Sequence, residues 1–284
     1  MVKLARVGVV IPARNEAKNI TATLLNLINQ TIPPTQIIVV NDGSKDNTKE
    51  LAEWFAKVVD YPIQHENWVA HKNLAKVFNY GFNQLNYSKL DYVMILGSDH
   101  LLPFDYIEKV TNRMAQPTEN QTHVSVASGS IKNEFANIPR GSGRMIEVNY
   151  FKELNYQYPV NWGYESYLIL KAWQLQKAVA YYEDIETTTQ RQTAITYKPI
   201  MFHHYGRAMK ALGYTPIHLM LRATIFCKKK PAFALQLIRG YYSAPVPDFY
   251  EDELRKFVKQ KQYARIKGAV NLDTVRLIKE RLLA

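Results

Sequence analysis

At 284 residues and 47% hydrophobic content, the chain is long enough to bury one large core, or one core plus an appendage. Its formal charge of +11 and isoelectric point near 9.4 point to an anionic partner; with no helix-turn-helix, zinc-finger or ribonucleoprotein signature, that partner is not expected to be nucleic acid. A lone cysteine, Cys227, excludes a disulfide framework and fits a reducing compartment. No apolar run reaches the roughly 18 residues a membrane span requires, and no leader is expected ahead of the first strand. The expected location is therefore cytoplasmic, peripheral on the inner face of the cell membrane.

In chain order, Val7-Gly8-Val9-Val10-Ile11 is short and rich in β-branched residues, and Pro12 bounds it, so it reads as a buried parallel strand. An amphipathic helix follows, with Ile20, Leu24, Leu27 and Ile28 on one stripe, and Pro33-Pro34 stops it. A second buried strand, Ile37 to Val40, runs directly into Asn41-Asp42-Gly43-Ser44. Strand, helix and strand make a right-handed βαβ unit, whose ligands bind beyond the carboxyl ends of the strands. The two loops there are Pro12-Ala13-Arg14-Asn15-Glu16 and the segment opening with Asp42. A carboxylate at a strand end accepts hydrogen bonds from a base imide or a ribose hydroxyl. Neither GxGxxG nor GxxxxGK[ST] occurs. Such a site grips base and sugar with acids and leaves a diphosphate to another agent, a metal.

Further along, a helix is predicted over 48–59, a third strand over 61–64, a loop His65-Glu66-Asn67-Trp68, and a helix from His71 to Leu85. The fourth strand, Asp91 to Leu96, ends in Gly97-Ser98-Asp99-His100, and Pro103 opens the next helix. An alternating fifth strand is predicted over 122–130. Pro139-Arg140-Gly141-Ser142-Gly143-Arg144 then reads either as a mobile loop whose arginines, Arg144 among them, meet an anion, or as a plain surface turn. Tyr158 to Leu168, holding Trp162, Tyr164 and Glu165, leads into another helix. A strand over Val179–Tyr182 and a polar stretch with Arg191 come after it.

The run Val9 to Glu16, followed by Val39-Val40-Asn41-Asp42-Gly43-Ser44-Lys45-Asp46-Asn47-Thr48, resembles the opening of the family 2 glycosyltransferases of the GT-A fold. The resemblance covers roughly residues 5–205. It implies an α/β, Rossmann-like, mostly parallel central sheet flanked by helices, and an inverting transfer from a nucleotide diphosphate sugar. It implies donor contacts from Pro12, Ala13, Arg14, Asn15, Glu16, Asp42, Ser98 and Asp99, and from Lys76 or Asn79 on the helix beneath the nucleotide. Asp99 falls on the second acid of the family's DxD motif, which holds Mn²⁺ or Mg²⁺ on the diphosphate; His100 is placed as an added ligand and His204, or its neighbour His203, as a late one. Gly97 stands where the first acid is usual. Glu165, three residues before Leu168, takes the place of the catalytic base, with Tyr164 where the family usually has Glu. Trp162 and Tyr164 are expected to stack on an acceptor sugar. No QxxRW box occurs, which argues against a processive polysaccharide synthase.

Beyond about Arg207, basic residues alternate with apolar blocks, as in Arg222, Lys228-Lys229-Lys230 and Arg239 beside Leu219-Met220-Leu221 and Phe233 to Ile238. This texture suits helices that lie on anionic lipid near a lipid-linked acceptor, or that pack on the catalytic domain or in a homodimer. Residues 248–284 read as a charged helix, a turn at Gly268 and a short last helix. The expectation is a GT-A domain over 1–205 and a helical C-terminal extension over 206–284. Its rivals are a nucleotide-sugar-binding protein with little turnover, suggested by Gly97, and a sugar nucleotidyltransferase.

Overall fold

The computed structural model describes residues 4–63, 71–117, 123–134, 136, 138–191, 199–243 and 250–270, which form two compact units. The first comprises residues 1–160 and 164–197, the second residues 161–163 and 198–284. A boundary at 205 falls inside a helix, because Pro199–Ala211 packs with the helices that follow it.

The first unit is built on β1 (Val7–Ala13), β2 (Gln36–Asn41), β3 (Lys57–Asp60), β4 (Tyr92–Ile95), β5 (His100–Leu101), β6 (Val124–Ile131), β7 (Arg144–Glu147) and β8 (Ala178–Thr189). They form one sheet in the order β3-β2-β1-β4-β7-β6-β8-β5. The half β3-β2-β1-β4 is parallel throughout. The other half is mixed: β7 is antiparallel to both neighbours, β6 and β8 are parallel, and β5 runs antiparallel to β8. Six of the eight strands therefore point the same way, with only β7 and β5 reversed, so the sheet is mostly parallel as expected.

Helices α1 (Ile20–Ile28), α2 (Thr48–Glu53), α3 (Leu74–Phe82), α4 (Tyr106–Ala115), α5 (Val148–Glu153) and α6 (Tyr164–Gln174) flank the sheet. Ile20, Leu24 and Leu27 of α1 are buried with Val9, Ile11 and Val39, the contact its apolar stripe predicts. Helix α3 lies close on the opposite face because Gly81 has no side chain. A Cβ there would sit 2.5 Å from Val10 Cγ1 and 2.7 Å from Val40 Cγ2.

Four predicted elements change. The helix expected over 48–59 stops at Glu53, because Val58 and Val59 pair with Val39 and Val40 and become β3. The strand expected over 61–64 is therefore displaced, and Gln64 and the loop His65–Trp68 lie outside the described residues. β6 is buried along its whole length, so it does not alternate. β8 runs twelve residues because it pairs first with β6 and then with β5.

The second unit contains α7 (Pro199–Ala211), α8 (Pro216–Lys229), α9 (Pro231–Tyr242) and α10 (Asp252–Val270). Phe202, Met209, Leu219, Ala223, Leu237 and Tyr241 form its core, and Phe202 stacks on Phe233 at 4.3 Å between centroids. α7 and α9 cross with their backbones touching. A Cβ at Gly240 would lie 2.0 Å from His203 O, and one at Gly206 2.1 Å from Leu237 O, so glycine is the only residue both positions admit. α10 continues through Gly268 instead of turning there. The expected last helix lies beyond residue 270, outside the described residues. Among the described residues, no helix is long and apolar enough to cross a membrane.

Candidate active site

The loops after β1 and β2 are locked together. Asn15 takes a left-handed conformation (φ 55°), tolerable for asparagine. This lets its N–H donate to Ser44 Oγ (3.1 Å) while its Oδ1 accepts from the Lys45 N–H (2.8 Å). The Glu16 N–H donates to Thr48 Oγ1 (2.7 Å), and the Thr48 hydroxyl donates to Asp46 Oδ1 (2.5 Å). That hydroxyl holds the Asp46 carboxyl below its ordinary range. Pro12 and Ala13 end β1, and Asp42 follows β2, its N–H donating to Ala13 O (2.9 Å). The buried Asp42 carboxylate lies 3.9 Å from the half-exposed Arg14 guanidinium. Tyr61 lies beside it: burial and the Asp42 charge both push that phenol up.

At the end of β4, the buried Ser98 accepts the Thr23 hydroxyl on its carbonyl (2.9 Å). Asp99 then meets a residue to which the sequence assigned no role. Arg191, just past β8, donates from Nε to Asp99 Oδ2 (2.9 Å) and pairs through Nη2 with Glu16 Oε1 (2.6 Å). Its neighbour Gln190 donates its N–H to Asp99 O (2.7 Å) and its side-chain amide to Asn19 O and Thr23 Oγ1. One cation therefore bridges the acids that follow β1 and β4. Its only trace in the sequence is an arginine in a polar stretch; the antiparallel β5–β8 pairing carries it to the site.

His100 is fully buried, and both ring nitrogens are committed within the protein. The Thr187 hydroxyl donates to Ser130 O (2.7 Å), so Thr187 Oγ1 accepts from His100 Nε2–H (2.6 Å). The Gly97 N–H donates to Ser142 Oγ (2.7 Å), and the Ser142 hydroxyl is left to donate to His100 Nδ1 (2.5 Å). This network assigns a neutral imidazole, and burial pushes its pKa down to about 4. The expectation that His100 ligates a metal is corrected: no lone pair remains for one. Gly97 is explained in the same way. A Cβ there would lie 3.2 Å from both Asp99 Oδ1 and Ser142 Oγ, so a side chain at the position usually held by the first acid fits only if one of those two side chains gives by a few tenths of an ångström.

The turn that holds Ser142 also reaches Glu165. Gly141 packs against that carboxylate so closely that a Cβ would sit 2.7 Å from Glu165 Oε2. Consecutive residues thus touch Glu165 (through Gly141) and the 97–100 loop (through Ser142). Arg144 opens β7, and it is buried and not at a mobile tip. Its guanidinium donates to Pro139 O (3.1 Å), Tyr158 OH (3.3 Å) and Glu165 O (3.4 Å), which ties the turn to the start of α6. Arg140 pairs with Glu134.

The expected acceptor aromatics are also buried. Tyr164 packs among Phe78 and Tyr158. Trp162 belongs to the helical unit, with His204 stacked on it at 4.7 Å and the Arg207 guanidinium 5.2 Å from its centroid. An open stacking face is thus corrected to a packed one for both, and His204 is placed with that tryptophan. On α3, Lys76 is exposed, whereas Asn79 is clamped to the Tyr158 backbone by two 2.8 Å hydrogen bonds.

For a divalent cation the donor set is thin. Among the described residues, no group of three His, Cys, Asp or Glu side chains is arranged to hold a metal ion. Asp99 alone carries a carboxylate at the DxD position. That fits the mode in which one or two carboxylates hold Mg²⁺ or a similar ion and the substrate phosphates complete its shell. It does not fit a preformed protein cage.

Residues 8–172 match the profile described as "Glycosyl transferase family 2". The chain belongs to that family. Among curated relatives, this family 2 chain is 33% identical over 98 residues to the poly-β-1,6-N-acetyl-D-glucosamine synthase of Staphylococcus epidermidis, covering 33% of the chain and 23% of the synthase. It is 43% identical over 56 residues to glycosyltransferase AglE of Haloferax volcanii, covering 19% and 18%. The matches thus span about a quarter or less of those relatives' length. In three dimensions it resembles the mannosyltransferase PcManGT of Pyrobaculum calidifontis, solved with GDP-Man and Mn²⁺ (TM-score 0.59, 16% identity, 99% of this chain and 81% of that one). It also resembles S. aureus TarS with UDP-GlcNAc (TM-score 0.55, 17% identity, 85% and 82%). These likenesses establish the GT-A fold.

Proposed function

We propose that the sheet unit moves a sugar from a nucleotide diphosphate donor, a UDP- or GDP-sugar, to an acceptor hydroxyl or a lipid phosphate, with inversion. The observation that carries this reading is the convergence at one sheet edge: Glu16 and Asp99 share Arg191, Asp42 lies beside the locked β1 and β2 loops, and Gly141-Ser142 links Glu165 to the loop that holds Asp99. Two other proteins of the fold are described with UDP-GlcNAc and with GDP-Man and Mn²⁺.

In this reading Asp42 accepts from the base or ribose, within a pocket shaped by Pro12 to Glu16, and the exposed Lys76 faces the donor. Asp99 would hold the Mn²⁺ or Mg²⁺ that arrives with the donor, and this ion supplies Lewis-acid charge to the leaving diphosphate when bound. Arg191, already the counter-ion of both acids, adds the chain's own positive charge at that edge. Glu165 takes the proton from the acceptor hydroxyl on the face opposite the leaving group, as direct displacement demands. An ionised lipid phosphate would not need that step.

A thermal-shift panel of UDP- and GDP-sugars with and without Mn²⁺ tests the reading. At least one donor should raise the melting temperature, more so with Mn²⁺, and Asp99→Ala should remove the metal-dependent part. Because no cage is preformed, Mn²⁺ alone should produce no binding heat in calorimetry. If no donor raises the melting temperature, the reading is wrong.

A further inference from the structure

The positive charge of this protein is not spread along the chain. Residues 1–197 contain 19 Lys and Arg against 19 Asp and Glu, whereas residues 198–284 contain 17 against 6. The whole excess of +11 therefore belongs to the helical C-terminal segment.

Within that unit, α8 is apolar on two sides. Leu219 and Ala223 face the core. On the other side, Ile217, Met220, Leu221 and Ile225 are 54%, 52%, 54% and 65% exposed. Their spacing of three and four residues places them on one stripe. Thr224 falls within that stripe, but its hydroxyl donates to Met220 O (2.9 Å) and so presents no free polar group. Lys228-Lys229-Lys230 follow directly in the sequence, and Arg222 is exposed on the helix. A contiguous apolar stripe in water normally marks an interaction surface.

We infer that α8 is a docking surface for an anionic phospholipid bilayer, its stripe entering the acyl boundary while the unit's basic residues meet the headgroups. A second copy of the chain is the weaker occupant, because an isologous contact would press this strongly positive unit against itself. The inference stands whether or not sugar transfer is the activity.

The test is co-sedimentation of the full chain with vesicles of phosphatidylcholine mixed with phosphatidylglycerol, and with phosphatidylcholine alone. The chain should pellet with the anionic vesicles only, and less so as salt rises. Leu221→Asp combined with Ile225→Asp changes two exposed positions, so circular dichroism and melting should be unaltered while anionic-vesicle partition falls by about tenfold or more. Three results would each overturn the inference: no pelleting of the intact chain with anionic vesicles, equal pelleting of the folded double variant, or a dimer on size exclusion that the double variant converts to monomer. Donor-induced melting shifts, measured in parallel, report on the sheet unit alone and would survive all three.

Discussion

The sheet unit and the helical unit put charge to opposite uses. In the first, acids and bases balance, and the informative feature is local: carboxylates gathered at strand ends, two of them sharing Arg191. In the second, the imbalance itself is the feature, and it accompanies an exposed apolar stripe. The basic isoelectric point of the chain, read as a whole, suggests a protein built around a phosphorylated substrate. Resolved by unit, it says nothing about the donor site, because the residues that bear that site are neutral overall. Global charge informs on partners only after it has been assigned to a folded region.

The largest effect expected from separating these roles is on turnover. Glu165→Gln should lower transfer roughly 10³-fold, within the usual range for loss of a general base. It should leave the donor-induced rise in melting temperature intact, since the change is isosteric. A variant that keeps most of its activity would move the base elsewhere or favour a phosphate acceptor.

A stability change sharpens the contrast from the other side. Gly240→Val drives a side chain into the His203 backbone and should destabilise the helical unit by more than about 3 kcal/mol. Differential scanning calorimetry should show one transition displaced and a donor-stabilised transition retained. A single transition that moves as a whole would show that the two units unfold together.

One source of pH-dependent stability lies in the sheet unit. The folded pKa of His100 lies near 4, below the ordinary 6.5 of an unfolded histidine. The unfolded chain therefore binds the proton first. The stability that His100 contributes is full above about pH 6.5, falls as pH drops towards 4, and levels off below, a loss of about 3 kcal/mol in all. Urea titrations across that range should trace the slope, and His100→Asn should flatten it. A slope unchanged in the variant would assign it to other groups.

The smallest effect concerns Gly97. Gly97→Asp restores the acid usual in the family but has to displace Ser142 or Asp99. It should cost about 1 kcal/mol and add no metal affinity by calorimetry. Tighter Mn²⁺ binding would show that the turn yields.

How much of this was legible beforehand varied with distance along the chain. The first βαβ unit and its two loops are readable because short β-branched apolar runs, a helix stripe and turn residues are local signals. The reading failed where long-range pairing overrode local preference. Val58 and Val59 leave the expected helix to join β2, and β8 runs twelve residues where local signals mark only Val179–Tyr182. At the site, type and spacing marked Asp42, Asp99 and Glu165 as candidates. The same cues marked His100, Trp162, Tyr164 and Arg144, whose side chains the fold buries. Histidine, arginine and aromatic residues serve packing as readily as chemistry, and a sequence does not state their burial.

The amino-acid order by itself determined the family, the strand-end acids and the change of texture near residue 200, since each is written in neighbouring residues. Tertiary structure alone decided that Arg191 joins Asp99 across 92 positions and that Glu16 shares it. It also decided that Gly97 is crowded by Ser142 and Asp99 and that one face of α8 stays uncovered. Those outcomes depend on strand register and helix crossing, which are set by the packing of the whole chain rather than by any local stretch.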